Sequence, residues 1–418
     1  MIAHLAGFIE ERPSSLRDDT DLPAFFTLMM RVARSQSLLV SIPIAHSWVK
    51  LLASETIGGS DTISALVGPL LEFGSQRVLR YEALPNDSEE PAILFLSEDI
   101  DTMPERHAFL GNYRRYATNI VELIVQRRPL DAFGYVLQQT DGTLQEIYAN
   151  QGVLDLANYK KSSTTVIKID ATFTAVEAAL KGYSKWVAAH GKNPQQDEEQ
   201  RNAIENHLLE WCVDLLNKNF EDPMIKQRII KLAADFSSRL LEKKQSFALS
   251  VLEYILTTQP ADRPEYPVYS EAVKELHQVA AHEIRRLAMR CPDYFIDYYD
   301  QLQAKIQEVL ATSTMDDRPQ SDLSAVLFII VHRATKIDAQ ARQTRLQEFV
   351  KPVVEKWQDP GLTQSLSTFR GFCELLGVDR VQDYMQTRQA NKIEDWSAVM
   401  LDEEGKNMQA RMNELFQV

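Results

Sequence analysis

Apolar residues in this chain recur at spacings of three and four, the period of one helix face, and almost nowhere in the strict alternation of a half-buried strand. Between Glu105 and Arg127 they fall at Phe109, Leu110, Tyr113, Tyr116, Ile120, Leu123 and Ile124, a single stripe on one long helix. The same spacing predicts helices over Phe173–Ala189, Ala203–Asn217, Ile225–Leu241, Phe247–Leu256 and Tyr269–Met289. Further along it predicts helices over Tyr294–Leu310, Leu323–Arg333, Ala341–Trp357 and Leu362–Leu376. Terminal signals agree. Asp222-Pro223 and Asp359-Pro360 each set a capping carboxylate before a proline at the first helical position, where a missing N–H costs nothing. Gly191 and Gly377 follow helix ends, as C-cap glycines do.

Short polar linkers are predicted at Pro13–Thr20, Pro85–Pro91, Lys192–Glu199, Gln259–Pro267 and Met315–Ser321. Asn150–Asp170 is longer, and its TTVIKI string at 164–169 reads as a loop crossing the helices, because a lone strand would have no partner. About fourteen to sixteen helices on short loops imply antiparallel pairs of about 40 to 50 residues each. No strict signature repeats, which argues against tetratricopeptide and ankyrin arrays. The fold class expected is therefore all-α, a HEAT-like (armadillo-type) right-handed α-solenoid of antiparallel helix pairs. Residues 1–418 would form one continuous solenoid segment, with sub-breaks near 150–170 and 259–268. A compact multi-helix domain is the alternative, disfavoured because no bundle boundary is visible.

Composition supports the helical reading: only 15 of 418 residues are Gly, about half the usual share, whereas phosphate loops, βα turns and tight hairpins all need that residue. The 44% hydrophobic and 25% charged fractions exclude neither helices nor a soluble core, but they do not suit disorder or a membrane bundle. The longest apolar stretch, Ala325–His332, falls far short of the ~18 residues of a span. Met1–Arg12 has no basic segment followed by a long apolar core, so no signal peptide is read there. Cys212, Cys291 and Cys373 lie in apolar helical contexts without metal-type spacing, and are expected as buried, inert thiols of a reducing compartment, cytosol or nucleus.

Catalytic chemistry finds little support. His282-Glu283 lacks the second histidine a zinc helix needs four positions on, since residue 286 is Arg; His277 lies at the wrong angle, and the group reads as a solvated helix face. No nucleophile elbow, phosphate loop or dinucleotide fingerprint occurs. The carboxylate pairs Glu89-Glu90, Asp316-Asp317 and Glu403-Glu404 sit in linkers or near the end, as hydrated charges. No enzyme, metal or cofactor is expected. The chain carries 45 Lys+Arg against 59 Asp+Glu, net charge -14, so clustered basic residues stand out. Arg114-Arg115, Arg127-Arg128, Lys160-Lys161, Lys243-Lys244 and Arg285-Arg286 are candidate contacts to phosphate-bearing cargo, weighed against ordinary surface ion pairs. On one concave face they would track double-stranded RNA by shape. Tyr294, Phe295, Tyr298, Tyr299 and Trp357 are at helical spacing and read mainly as packing between repeats.

At 103–116 the string MPERHAFLGNYRRY resembles the middle of the exportin-five family, karyopherin-β nuclear exportins with a fungal, MSN-type branch. VEAALKGYSKW at 176–186, FALSVLEYIL at 247–256, CPDYF at 291–295, FIIVHRATKID at 328–338 and SLSTFRGFCELLG at 365–377 are similar to the fungal branch in the same order. The resemblance implies a HEAT solenoid that wraps cargo with Ran-GTP in the nucleus, passes nuclear pore proteins, and releases both in the cytoplasm after GTP hydrolysis. It implies hairpin RNA with a 3′ overhang as cargo in animals and phosphorylated proteins in fungi. Because family members are several-fold longer, it also places these residues in the central portion, without the amino-terminal repeats that carry the main Ran contacts. A helical-repeat scaffold without a transport role is the alternative.

Overall fold

The computed structural model describes residues 1–13, 20–84, 90–150, 152–190, 194–240, 244–312, 317–389, 392 and 401–416. Among them every regular element is a helix. The chain opens with α1 (Ile2–Glu11), α2 (Leu22–Ala33), α3 (Leu38–Ala53), the short α4 (Glu55–Gly58) and α5 (Asp61–Ser64), then α6 (Val67–Arg77) and α7 (Pro91–Asp99). Long helices follow: α8 (Met103–Arg127), α9 (Pro129–Ala149), α10 (Thr164–His190), α11 (Pro194–Asn217), α12 (Pro223–Leu240), α13 (Gln245–Thr257) and α14 (Pro267–Arg290). The remainder holds α15 (Pro292–Phe295), α16 (Tyr299–Thr312), α17 (Asp317–Arg333), α18 (Ala339–Trp357), α19 (Pro360–Leu366), α20 (Phe369–Leu376), α21 (Val378–Thr387) and α22 (Glu403–Phe416). Two compact units divide within α14, at Met1–Ala280 and Ala281–Val418.

In the first unit the helices stack in two rows. α3, α8, α10 and α12 form one, α6, α9, α11 and α13 the other, each helix touching the next of its own row. Hairpin neighbours such as α8 and α9, or α12 and α13, join the rows. This is the helical-repeat architecture expected of paired helices that each bury one stripe against their neighbours. Trp48, Phe26, Tyr113, Phe133, Phe173 and Phe236 are fully enclosed, and the Phe26 and Trp48 rings lie 5.3 Å apart. A buried polar link fixes α3 to α8. The Ser41 hydroxyl donates to the Ala33 carbonyl at 2.6 Å, so its contact with the Tyr113 hydroxyl at 2.6 Å leaves Tyr113 as donor. Burial pushes the Tyr113 phenol up to about 12, keeping that donor proton in place.

Two sequence expectations change here. TTVIKI is not a loop but the start of α10, capped by the Ser163 hydroxyl accepting from the Val166 N–H at 3.2 Å. Its β-branched residues mimic a strand locally, yet Val166, Ile169 and Phe173 continue the three- and four-residue period and are buried. The polar stretch Lys192–Glu199 is helical from Pro194 onward, proline being favoured at a first helical position. The predicted C-cap at Gly191 and most of the linkers at Pro13–Thr20 and Pro85–Pro91 lie outside the described residues. Asp222 caps α12 as expected, accepting from the Met224 N–H at 2.8 Å.

In the second unit α17 packs against α15, α16 and α18, followed by the small helices α19 to α22. The Asp293 carboxylate at the start of α15 accepts from the Thr335 hydroxyl at 2.8 Å, the Lys336 N–H at 3.0 Å and the Thr335 N–H, tying α15 to the turn after α17. Two predicted helices are interrupted. Tyr294–Leu310 splits into α15, a 3-10 turn at Ile296–Tyr298 and α16. Leu362–Leu376 breaks before Thr368, whose hydroxyl accepts from the Gly371 N–H at 3.0 Å and starts α20. The Met315–Ser321 linker is helical from Asp317 onward. Asp359 caps α19 through the Leu362 N–H at 2.9 Å, and Gly377 ends α20 at φ +69, a conformation that favours glycine.

Candidate binding surface

Most of the basic candidates have work within the fold. Arg114, on the middle of α8, pairs with Glu82 at 2.8 Å. Arg127 ends the same helix, and its guanidinium donates to the carbonyls of Leu52 at 2.8 Å, Ala53 at 2.9 Å and Ser54 at 3.0 Å. Leu52 and Ala53 supply open carbonyls at the C-terminus of α3, where a cation also meets the negative end of the helix dipole, and the Ser54 carbonyl accepts from the Gly58 N–H of α4 as well. Lys161 sits between Glu271 and Glu275 of α14, 2.8 Å from each, and these two hydrogen-bonded carboxylates raise its pKa against the opposing effect of burial. Arg285 pairs with Asp322 of α17 at 2.9 Å and Arg286 with Glu283 at 2.6 Å. Lys244 donates to the Asn206 side chain. Lys243 lies outside the described residues.

Arg115, Arg128 and Lys160 have no ion-pair partner among the described residues. Arg115 and Lys160 are exposed and Arg128 is half-buried, in the turn between α8 and α9. Arg115 lies 5.5 Å from the Tyr116 ring centre. No two of the basic pairs share an acidic partner among the described residues. Replacing Arg127 by alanine tests the structural role directly. It strips charge-assisted donors from three carbonyls and should cost about 2 to 3 kcal/mol of unfolding free energy by urea titration. Lysine should recover little of it, because an ammonium cannot reproduce the guanidinium fork.

The expectation of a solvated face at His277 to Glu283 needs correction. His282 is exposed, but His277 and Glu283 are buried, so only part of that stretch of α14 faces solvent. A half-buried ionic group was not anticipated at all. Arg228 of α12 pairs with Asp170 at 2.8 Å and Glu177 at 3.0 Å of α10. Desolvation raises the Glu177 carboxyl, and the Arg228 charge opposes it. The spacing of Asp170 and Glu177, seven residues on one helix face, was the available signal.

Burial pushes the Cys212 thiol up, and takes Cys291 up to about 11. Cys373 departs from expectation in being half-buried. Phe295 and Tyr299 are packed in the core, whereas Trp357 is 45% exposed. Trp357 ends an uncovered apolar stripe on α18 with Val350, Val353 and Val354, a helical spacing that sequence alone assigns to the interior. No group of side chains fit to hold a metal ion occurs among the described residues. No described helix is long and apolar enough to cross a membrane.

The sequence pattern of the Exportin-5 family matches residues 14–409. An uncharacterized protein of Schizosaccharomyces pombe is 24% identical over 402 residues, 94% of this chain and 32% of that protein. Protein MSN5 of Saccharomyces cerevisiae is 21% identical over 411 residues, 97% of this chain and 32% of that protein. The chain thus spans about a third of the length of these curated relatives.

Proposed function

The chain belongs to the Exportin-5 family, and from that membership we propose that it forms the cargo-contacting portion of a nuclear export receptor, acting without catalysis. The observation that carries the reading is the family match over residues 14–409. The two-row helix stack of the first unit supports it, since such stacks offer long surfaces to a partner. Protein rather than RNA is the favoured cargo, a phosphorylated protein in particular. Arg114, Arg127, Lys161, Lys244, Arg285 and Arg286 are already engaged internally, which leaves Arg115, Arg128 and Lys160 among the described candidates to meet a phosphate. In this reading the receptor shuttles between nucleus and cytoplasm, and Ran-GTP binding is coupled to cargo binding.

The test measures binding of a phosphorylated protein ligand and of a hairpin RNA to the chain, alone and joined to the amino-terminal repeats of a family member, each with Ran-GTP and with Ran-GDP. Coupled binding of the transport kind should raise cargo affinity at least about fivefold with Ran-GTP, and Ran-GTP affinity by the same factor with cargo. Binding of protein ligands by the version that carries the amino-terminal repeats, with no response to Ran-GTP, would sink the transport reading in favour of a scaffold. The exposed α18 stripe is the feature that would serve such a scaffold. Tighter binding of the hairpin than of the phosphoprotein would reverse the choice of cargo.

A further inference from the structure

Between α9 and α10 the described residues 152–163 run outside any helix, yet they are held down at two points. Tyr159 is buried, its ring edge-on to that of Tyr269 of α14 with centres 5.4 Å apart, and its hydroxyl donates to Asp222 at 3.0 Å. Leu154 and Leu156 pack against the same apolar cluster, which takes in Ala272 and Val273 of α14. Two residues after Tyr159, the Lys161 ammonium lies 2.8 Å from each of Glu271 and Glu275 on that helix. The segment is thus a strap across the first turns of α14. One anchor is apolar and needs no charge; the other is ionic, and a new charge beside it upsets it.

Ser162 follows the ionic anchor directly. The Ser163 N–H donates to the Lys160 carbonyl at 3.2 Å, which closes a turn and sets Ser162 on its exposed corner. In the run Ser162-Ser163-Thr164-Thr165, only Ser162 is both exposed and outside the helix. The Ser163 hydroxyl is taken by the α10 cap, and Thr164 and Thr165 are already helical. Lys160, two residues ahead, is exposed and has no ion-pair partner among the described residues. A protein kinase that selects its target by basic side chains just ahead of it therefore meets a free cation and an accessible hydroxyl on the same turn.

We propose that Ser162 is a phosphorylation site whose phosphate loosens the strap from α14. The inference goes beyond the transport reading and stands without it. In the transfer, the Ser162 oxygen bonds to the γ-phosphorus of ATP as the bond from that phosphorus to the β,γ-bridging oxygen breaks. ADP leaves with those electrons, and the hydroxyl proton passes to the kinase. The product carries about 1.5 to 2 negative charges and three acceptor oxygens. It competes with Glu271 and Glu275 for Lys161 and repels both, and these two carboxylates, one turn apart on α14, then face each other without their cation. The Tyr159 anchor stays, so the strap loosens while the first unit remains folded.

The full chain is incubated with ATP and a basic-directed protein kinase, and the modified residue is mapped by mass spectrometry. Phosphate should appear on Ser162, be lost in Ser162→Ala and form at least about fivefold more slowly in Lys160→Ala. Amide exchange over 154–161 and 267–276 should then quicken by about three- to tenfold, the loss expected of two partly exposed ion pairs. Removal of the group by a phosphatase should restore the slow exchange. Lys161→Met lacks the ionic anchor from the start, so its exchange should already be quick in both stretches and respond little to the kinase. If Lys161→Met fails to fold, the kinase and phosphatase cycle on the parent chain carries the test alone. Absence of phosphate from Ser162, a rate unaffected by Lys160→Ala, or exchange that the modification leaves unchanged overturns the proposal.

Discussion

Replacing Gly182 by alanine should destabilise the first unit by about 2 kcal/mol or more, although the same change in an open helix stabilises. A Cβ built at Gly182 lies 2.3 Å from the Glu122 carbonyl oxygen, 3.0 Å from the Val125 Cβ and 3.1 Å from the Gln126 N. Two of those atoms are backbone of α8, so no flexible side-chain end can swing away, and α8 and α10 must separate. Overpacking of that kind costs about 1 to 3 kcal/mol or more, and helix propensity returns only about 1. Gly111, on the exposed side of α8, is the control, because its Cβ would meet nothing within 4 Å. There Gly111→Ala should gain roughly 0.5 to 1 kcal/mol. Urea unfolding of the two variants against the parent reads the difference, and equal signs would show that α8 and α10 do not approach as described.

Arg228→Ala should cost about 3 to 5 kcal/mol at neutral pH, because it leaves the Asp170 and Glu177 carboxylates facing the α10–α12 interface without their cation. The penalty should shrink on acidification, and the sign follows from Glu177. Desolvation raises its folded pKa above the unfolded value, so the folded chain holds the proton more tightly. Its favourable contribution is therefore complete below the unfolded pKa and is lost as pH rises through the folded one. Without Arg228, which lowers that folded value, the window moves upward and the loss deepens. Denaturation midpoints from pH 4 to pH 8 should thus fall more steeply for Arg228→Ala than for the parent. A pH-independent difference would mean that Glu177 faces water rather than Arg228.

Much of this architecture was legible in the sequence because periodic burial and helix caps are local signals. The stripe from Phe109 to Ile124, the proline-preceding caps Asp222 and Asp359, and the C-cap Gly377 all stand where the pattern puts them. Breaks inside a continuous stripe were not legible. Thr368 starts a new helix with its own hydroxyl, but a threonine within an apolar period gives no warning of it. The TTVIKI segment misled because β-branched residues fit both a strand and a helix buried on one side. Binding residues were the least legible. Adjacent arginines read alike whether, like Arg127, they cap a neighbouring helix or, like Arg115, they face solvent. The difference depends on residues about 75 positions away in the chain, such as Leu52, and a periodic pattern carries no information over that distance.

The two-row stack also bears on how the first unit comes apart. Each helix rests mainly on near neighbours in its own row and the row beside it, so few contacts bind one end of the row to the other. Such a ladder can open from an end while distant rungs stay closed, and one midpoint then averages several transitions. Amide exchange should grade along the row, slowest where α8 and α10 press together at Gly182. The protein would behave less as a single thermodynamic block than as a chain of coupled springs, each able to give way to a partner without unfolding the next.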